Sequence, residues 1–538
     1  MLLNSKRTFS RIATLSAVGA LFLGSSALAA CSSGGSSGGS GSGQTIPQFT
    51  VGFDPPVTTL NYAKSNVGYQ LGGLALEPLL IAAKSGKLVP WLAQSWKQTS
   101  PTTYVYNIRH GVKFSDGSTL KAADVVFSLN YYRHPGSLDA YNFPTTLKSI
   151  TATGPYTVTV TLTQPDAAWA VVPAGDTMGI FEKKFFDAHK TSFGQPGTGV
   201  VGTGPWEFTS YNGTSSAELK ANPHYWRGKV NIQKVSAQFF SSETSEALAF
   251  RQGAIDLAFP IDNKAFASTA GVKLTAVPSY AVQGEFGMNT LQKPWNNIHV
   301  RLAVAYALNR TALINAWGGY ADPVYQFLTA GLLENIGSPA DVASVLKSVP
   351  TFPYNLAKAK AQMAQSPYPH GVTATISVEG TGSYPNISQA IAAELAKIGI
   401  HLKLKVMTFD QQIANMTSGN RKGILTAFTY SGSVSRDPGE AFDFQMGKSN
   451  ISAGNWNTFN WAPTPVDNLI NKGFTTTDNA ERLKIYGQID AAYAQGAPFI
   501  PVFNEQATMA LASGYTWPDF NGYWYDLGPW LLGVSKKS

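Results

Sequence analysis

The 538-residue chain contains one cysteine, Cys31, so no disulfide can form within it. Charged residues are equally sparse: Asp, Glu, Lys and Arg together make up 13 % of the sequence. The formal charge is +8 and the pI about 9.1. No block of Lys or Arg forms the basic stripe that a nucleic-acid surface requires, so that class of partner is excluded. His110, His134, His189, His224, His299, His370 and His401 have no metal-ligand spacing, and the lone thiol cannot complete a zinc site. Neither a metal nor another cofactor is therefore expected. No fixed period suggests a solenoid or propeller, and no run after residue 30 is long and apolar enough to span a bilayer.

Catalytic signatures are missing as well. Gly35-Ser36-Ser37-Gly38-Gly39 fits the nucleophile-elbow pattern but lies in a Ser/Gly tract, with no strand before it and no helix after it. Gly197-Thr198-Gly199-Val200-Val201-Gly202 has dinucleotide-loop spacing, yet Gly204-Pro205-Trp206 follows where a helix must open. Gly447-Lys448-Ser449 resembles the end of a phosphate loop, but Phe442 occupies the place of its first glycine. No carboxylate pair stands out for acid–base work. The reading is a non-enzyme.

What is present begins at the N-terminus. Lys6, Arg7 and Arg11 precede an apolar run from Ile12 to Leu28, and Leu28-Ala29-Ala30-Cys31 closes it as a lipobox would. Residues 1–30 read as a lipoprotein signal peptide with Cys31 as the lipid acceptor. Residues 31–44 read as a Ser/Gly tether, able to reach but not to pack. Each buried lipid methylene contributes about 0.8 kcal/mol, so two or three acyl chains would hold the protein at a membrane. The expected location is the outer face of the cell membrane, on the periplasmic or cell-wall side. The remaining chain is too long for one core. Its aromatic content, 12 % with 12 Trp, suits a ring-lined cavity.

Local patterns indicate an α/β protein. Phe49–Phe53 reads as a strand ending at Asp54-Pro55-Pro56, and Tyr104–Ile108 and Tyr156–Leu162 alternate as strands. Leu71–Ile81, Ala122–Tyr131, Val300–Trp317, Ile387–Ile398 and Glu481–Ala494 read as helices. Gly399 then caps a helix that leads into the strand His401–Val406, and Phe499–Phe503 forms a late strand.

Longer stretches carry a resemblance. Leu92-Ala93-Gln94-Ser95-Trp96, Tyr104 through Gly117 and Ala122 through Ser128 are followed in order by Gly202-Thr203-Gly204-Pro205-Trp206 and Asn222-Pro223-His224-Tyr225-Trp226. Gly253-Ala254-Ile255-Asp256, Asn289-Thr290, Val300-Arg301-Leu302-Ala303, Asn309-Arg310 and Ala497 through Val502 continue the series. From about residue 45 to 505 the chain resembles the family 5 extracellular solute-binding proteins, the oligopeptide-, dipeptide- and nickel-binding components of ABC importers. That resemblance implies a two-lobed periplasmic-binding-protein fold with two crossing strands and an additional inserted domain. The first lobe would occupy 45–285, with the insertion at about 90–205. The second lobe would occupy 286–497, and 498–538 would return to the first. The crossings are expected near Gly284–Asn289 and Pro498–Asn504.

The resemblance further implies a monomer that closes on a peptide or other small solute and delivers it to permease and ATPase subunits. Cleft candidates are Phe53 and Asp54, Asn289 and Thr290, and the group Tyr430, Ser433, Arg436, Asn455 and Trp456. Peptide-binding members carry Gly-Trp-x-x-Asp-x-x-Asp-Pro, whose first aspartate pairs with the peptide amine. Here Asp437-Pro438 is kept, but Ser431 stands at the tryptophan and Val434 at that aspartate. The sequence leaves open a peptide-like solute, an oligosaccharide or a metal chelate, and, from another class, a surface lipoprotein enzyme or adhesin.

Overall fold

The computed structural model describes residues 44–537, apart from 66–67, 84–86, 176, 261–262, 278–281, 381, 409–410, 413, 415–426, 433–436, 452–456 and 522–527. Cys31, Val434, Ser433, Arg436, Asn455 and Trp456 lie outside the described residues.

In chain order, β1 (Phe49–Phe53) opens the fold. Four strands follow: β2 (Ala93–Ser100), β3 (Thr103–Ile108), β4 (Leu147–Gly154) and β5 (Thr157–Leu162), with helix α1 (Ala122–Tyr132) between β3 and β4. Next come β6 (Trp206–Tyr211), β7 (Ser216–Ala221), β8 (Lys234–Phe239), α2 (Glu243–Arg251), β9 (Leu257–Ala258) and β10 (Thr275–Val277). The second half holds β11 (Val282–Gly287), α3 (Ile298–Ala307), α4 (Arg310–Trp317), β12 (Ala321–Pro323), β13 (Val372–Glu379), α5 (Tyr384–Ala396) and β14 (Ile400–Met407). It ends with β15 (Ala427–Gly432), α6 (Pro438–Met446), α7 (Thr464–Thr475), α8 (Asn479–Gly496), β16 (Phe499–Glu505) and β17 (Ala507–Leu511).

These strands form a seven-stranded sheet in the order β10-β17-β9-β1-β8-β7-β6 and a four-stranded sheet in the order β12-β16-β11-β15. A further four-stranded sheet, β2-β3-β5-β4, lies within residues 93–162, and β13 pairs with β14 in parallel. The alternation in β3 buries Tyr104, Tyr106 and Ile108, and that in β5 buries Val158, Val160 and Leu162. Those side chains belong to the same continuous core as Phe49 and Val51 of β1. The 93–162 sheet is therefore fused to the large sheet through shared apolar packing rather than hung from it. Cores around Phe286 and Ile391, and around Tyr486 and Ile489, serve the second half.

Two helices differ from their sequence reading. Val300–Trp317 is broken at Leu308-Asn309, because the Asn309 side chain accepts from the Ala312 N–H at 3.2 Å and starts a new helix. Leu71–Ile81 is helical only over Tyr69–Gly72; Gly73 caps that turn, and Leu80–Ala82 is extended. The Gly72-Gly73 pair and Pro78 explain the early stop. By contrast, α5 ends before Gly399, whose φ of +83° turns the chain into β14.

Candidate functional site

Strand direction locates the cleft. In the large sheet, β1 runs parallel to β8 and β9, while β17 is antiparallel to both β9 and β10. Thus β1, β8, β9 and β10 all point the same way. The chain leaves β10 at Val277 and enters the smaller sheet at Val282; it returns through Gln506, between β16 and β17. The carboxyl ends of β1, β8, β9 and β10 therefore form the edge of the large sheet that faces the smaller one. In open α/β sheets that edge is where ligands gather. The segments expected to cross, Gly284–Asn289 and 498–504, run side by side within the smaller sheet, and the return to the large sheet is at Gln506.

Asp54 directly follows β1 at this edge. Burial pushes its carboxyl up to about 6. Phe53, one residue earlier, is buried, with its ring edge-on to Phe239 at 6.3 Å between centroids. On the opposite side, Gly432 of β15 pairs with Val282, and Tyr430 with Gly284. The carboxyl end of β15 thus reaches the edge of the smaller sheet facing Asp54, and the candidates Ser433 and Arg436 continue from it outside the described residues.

Asn289 and Thr290 stand elsewhere. They follow the far end of β11, about 20 Å of extended chain from Val282. Asn289 Oδ1 accepts from Leu291 N–H at 3.0 Å and Asn460 Nδ2 at 3.1 Å. Thr290 Oγ1 donates to the carbonyls of Phe459 and Asn460, at 3.1 and 3.0 Å. These two residues pin the chain at 457–460, immediately after the segment containing Asn455 and Trp456. The structure does not bring them to Asp54.

Sequence reasoning passed over an aromatic wall beside the return crossing. The Trp317 ring lies edge-on to Tyr384 at 5.2 Å and tilted to Phe503 at 5.5 Å, and its Nε1 donates to Glu505 Oε1 at 3.2 Å. The available signal was a half-apolar helix end at Trp317 followed by Gly318-Gly319, which reads locally as no more than a cap.

The motif residues outside the cleft act as fasteners. Glu77, fully buried, accepts from Trp91 Nε1 at 2.7 Å, Thr203 Oγ1 at 2.6 Å and Trp226 Nε1 at 3.0 Å. The elements around Gly202–Trp206 and Asn222–Trp226 therefore converge on one carboxylate. Burial pushes that carboxyl up to about 7, against the pull of these donors and of Arg227. Asp124 accepts from the backbone N–H of Lys121 and Lys183, closing the start of α1. Arg301 donates to the carbonyls of Gly496 and Trp295, at 2.9 and 2.7 Å. Asp437 caps α6 through Gly439 N–H at 2.8 Å and pairs with Arg482.

A profile of the bacterial extracellular solute-binding proteins, family 5 (middle region), matches residues 87–453. The chain belongs to this family. The glutathione-binding protein GsiB of Escherichia coli (strain K12) is 28 % identical over 455 residues, covering 82 % of this chain and 84 % of its own. The family's fold is matched by the Helicobacter pylori periplasmic binding protein DppA, solved with peptide STSA, at TM-score 0.72 and 22 % identity over 92 % of this chain and 99 % of that one. NikZ of Campylobacter jejuni, solved with Ni(L-His), gives TM-score 0.72 and 19 % identity over 91 % and 100 %. The fold is thus the two-lobed α/β architecture of family 5 solute-binding proteins. Among the described residues no helix is long and apolar enough to cross a membrane, and no group of three or more His, Cys, Asp or Glu could hold a metal ion.

Proposed function

We propose that this solute-binding protein captures a peptide-like or similar small polar solute between its two lobes and delivers it to the permease and ATPase subunits of an ABC importer. The observation that carries the reading is the double passage of the chain between two sheets, which sets the Asp54 edge opposite the end of β15. Two short connections permit rotation of one lobe against the other, and contacts made only when shut drive closure. The named ligands of GsiB and DppA, glutathione and a peptide, support a peptide-like cargo.

In this reading residues 1–30 are removed on export, Cys31 carries lipid, and 31–44 form the tether. The first lobe spans 45–285 with its insertion at about 90–205, the second spans 286–497, and 498–538 rejoin the first. Tyr430, Ser433, Arg436, Asn455 and Trp456 line the second-lobe side, and the protein acts as a monomer without catalysis.

Native mass spectrometry of the mature protein, combined with thermal-shift measurements against di- and tripeptide libraries, tests the proposal. A co-purified peptide-like solute, or a melting shift with a subset of the library, is expected. Absence of any bound solute together with a detected hydrolytic activity would overturn it.

A further inference from the structure

The edge of the large sheet away from the cleft has a charge of its own. The amino ends of β1, β8, β9 and β10 lie there, served by the connections 44–48, 222–233, 252–256, 268–274 and 512–514. Those connections contain one acid, Asp256, whose carboxylate accepts from Thr50 N–H at 2.8 Å. Against it stand six exposed cations: Arg227 and Lys229 before β8, Lys234 at its first position, Arg251 ending α2, Lys273 before β10, and Lys536. Lys536 reaches this edge by pairing with Tyr515, whose ring lies edge-on to Phe49 at 4.8 Å. None of the six makes an ion pair with a carboxylate among the described residues; nearby, Lys220 and Glu207 cancel each other at 2.9 Å. Asp54 and Glu243 stand at the cleft end instead, so the sheet is polarised along its strands. No basic run announces this, because the six are spread from residue 227 to 536.

The leading segment of the chain enters at the same edge. Ile46 N–H donates to the Asn231 carbonyl and Gln233 N–H to the Ile46 carbonyl, both at 2.9 Å, which seats the incoming chain between Lys229 and Lys234. By composition, the Ser/Gly tract 31–44 reaches about 20 Å. Counted from Cys31, this edge is the part of the protein closest to an attached membrane. Arg227 lies over the Trp91 ring at 4.2 Å, and the half-buried Trp226 has Arg109 at 5.0 Å from its ring. Indoles beside guanidinium groups suit the boundary between lipid headgroups and water.

We infer that this edge is a membrane-docking surface for anionic phospholipid headgroups. The inference rests on the anchored-capture reading above and adds an orientation to it. With the basic edge on the membrane, the cleft at the other end of β1 and β8 opens to the solution from which solute arrives. Such attraction fades within about 8 Å at physiological salt, so it steers a protein already held by lipid and does not hold one alone. The tether supplies the local concentration that makes so weak a contact effective.

The test titrates the mature protein carrying Cys31→Ser, which has no lipid, with vesicles at low ionic strength. One set of vesicles is phosphatidylcholine alone, the other an equimolar mixture with phosphatidylglycerol. Partition onto the anionic set should be at least about tenfold stronger and should disappear at physiological salt. Lys229→Glu, Lys234→Glu and Arg251→Glu together should abolish the preference and leave the melting temperature unchanged, since all three side chains are exposed. Lys360→Glu, Lys403→Glu and Lys405→Glu, equal in charge but exposed on the second half of the chain, should keep it. In the lipidated protein, amine labelling of Lys229 and Lys234 should be slower on anionic than on neutral membranes. Equal partition onto both sets, the same loss in both triple variants, tighter binding to soluble polyphosphate than to vesicles of equal phosphate content, or unchanged labelling would overturn the inference. These readings need no solute, so that failure leaves the capture role standing, whereas a mature chain found without lipid would remove the anchored reading itself.

Discussion

Asp437 and Arg482 form an ion pair with 3 % and 4 % of their side-chain surfaces exposed. Arg482 also donates to Tyr486 Oη at 2.8 Å and to the Gly473 carbonyl at 3.2 Å. The pair ties the start of α6 to α8. Its retention in the Asp437-Pro438 dipeptide is thus explained by architecture and needs no ligand.

Removing one partner strands the other charge in the interior. Asp437→Ala is expected to lower stability by about 3–5 kcal/mol, read from urea unfolding. Asp437→Leu combined with Arg482→Met should recover much of the loss, since two apolar side chains leave no orphaned charge. A double variant as unstable as the single would contradict this account.

Glu77 gathers two indoles, a threonine and the Tyr225 hydroxyl, so Glu77→Ala leaves four donors without this acceptor. At about 1–3 kcal/mol for each unsatisfied group, and without full additivity, a loss of at least about 3 kcal/mol is expected. Glu77→Gln keeps one acceptor and should lose less. Because Trp91 and Trp226 touch the carboxylate, tryptophan fluorescence should titrate with a midpoint near 7, where burial has pushed this group. That transition should vanish in Glu77→Gln.

Asp490 gives a stability signature with a definite sign. Its side chain is buried in the core around Tyr486 and Phe499, where Oδ1 accepts from Phe327 N–H at 3.1 Å. Burial pushes the carboxyl from 3.8 to about 7. Between those values the folded protein holds a proton that the unfolded chain has released, so stability falls as pH rises from about 4 to 7. Asp490→Asn retains the acceptor and cannot ionise. Its melting temperature should exceed that of the parent at pH 7 and converge with it near pH 4; a constant offset across that range would refute the assignment.

Cys31→Ser is expected to move the protein from the membrane to the soluble fraction while leaving its melting temperature unchanged. Retention in membranes after that change would argue against the lipid anchor.

How much of this was legible in the sequence follows the range of the interactions. Local patterns announced themselves: Tyr104, Tyr106 and Ile108 alternate, and Gly399 marks the end of α5. The ordered motifs also pointed to the family. What they do was hidden, because Glu77 meets Thr203 and Trp226 across 126 and 149 residues of chain. Nothing in a single carboxylate within Leu74–Leu80 announces three distant donors. Asp54 was legible as the residue that follows a strand. Asn289 and Thr290 show the converse. Neighbouring a crossing in sequence, they lie at its distant end in space.

The placement of the chain ends has a mechanical consequence. Both β1 and β17 belong to the large sheet, and the smaller sheet is spliced in between Val277 and Ala507. On the N-terminal side, Ile46 is stitched to the segment before β8 through a bridge to Ile232. If residues 31–44 tether the chain as proposed, a pull along them would be taken up there, in the large sheet. The proposed closing movement of the smaller sheet's side would then leave the length of that connection unchanged.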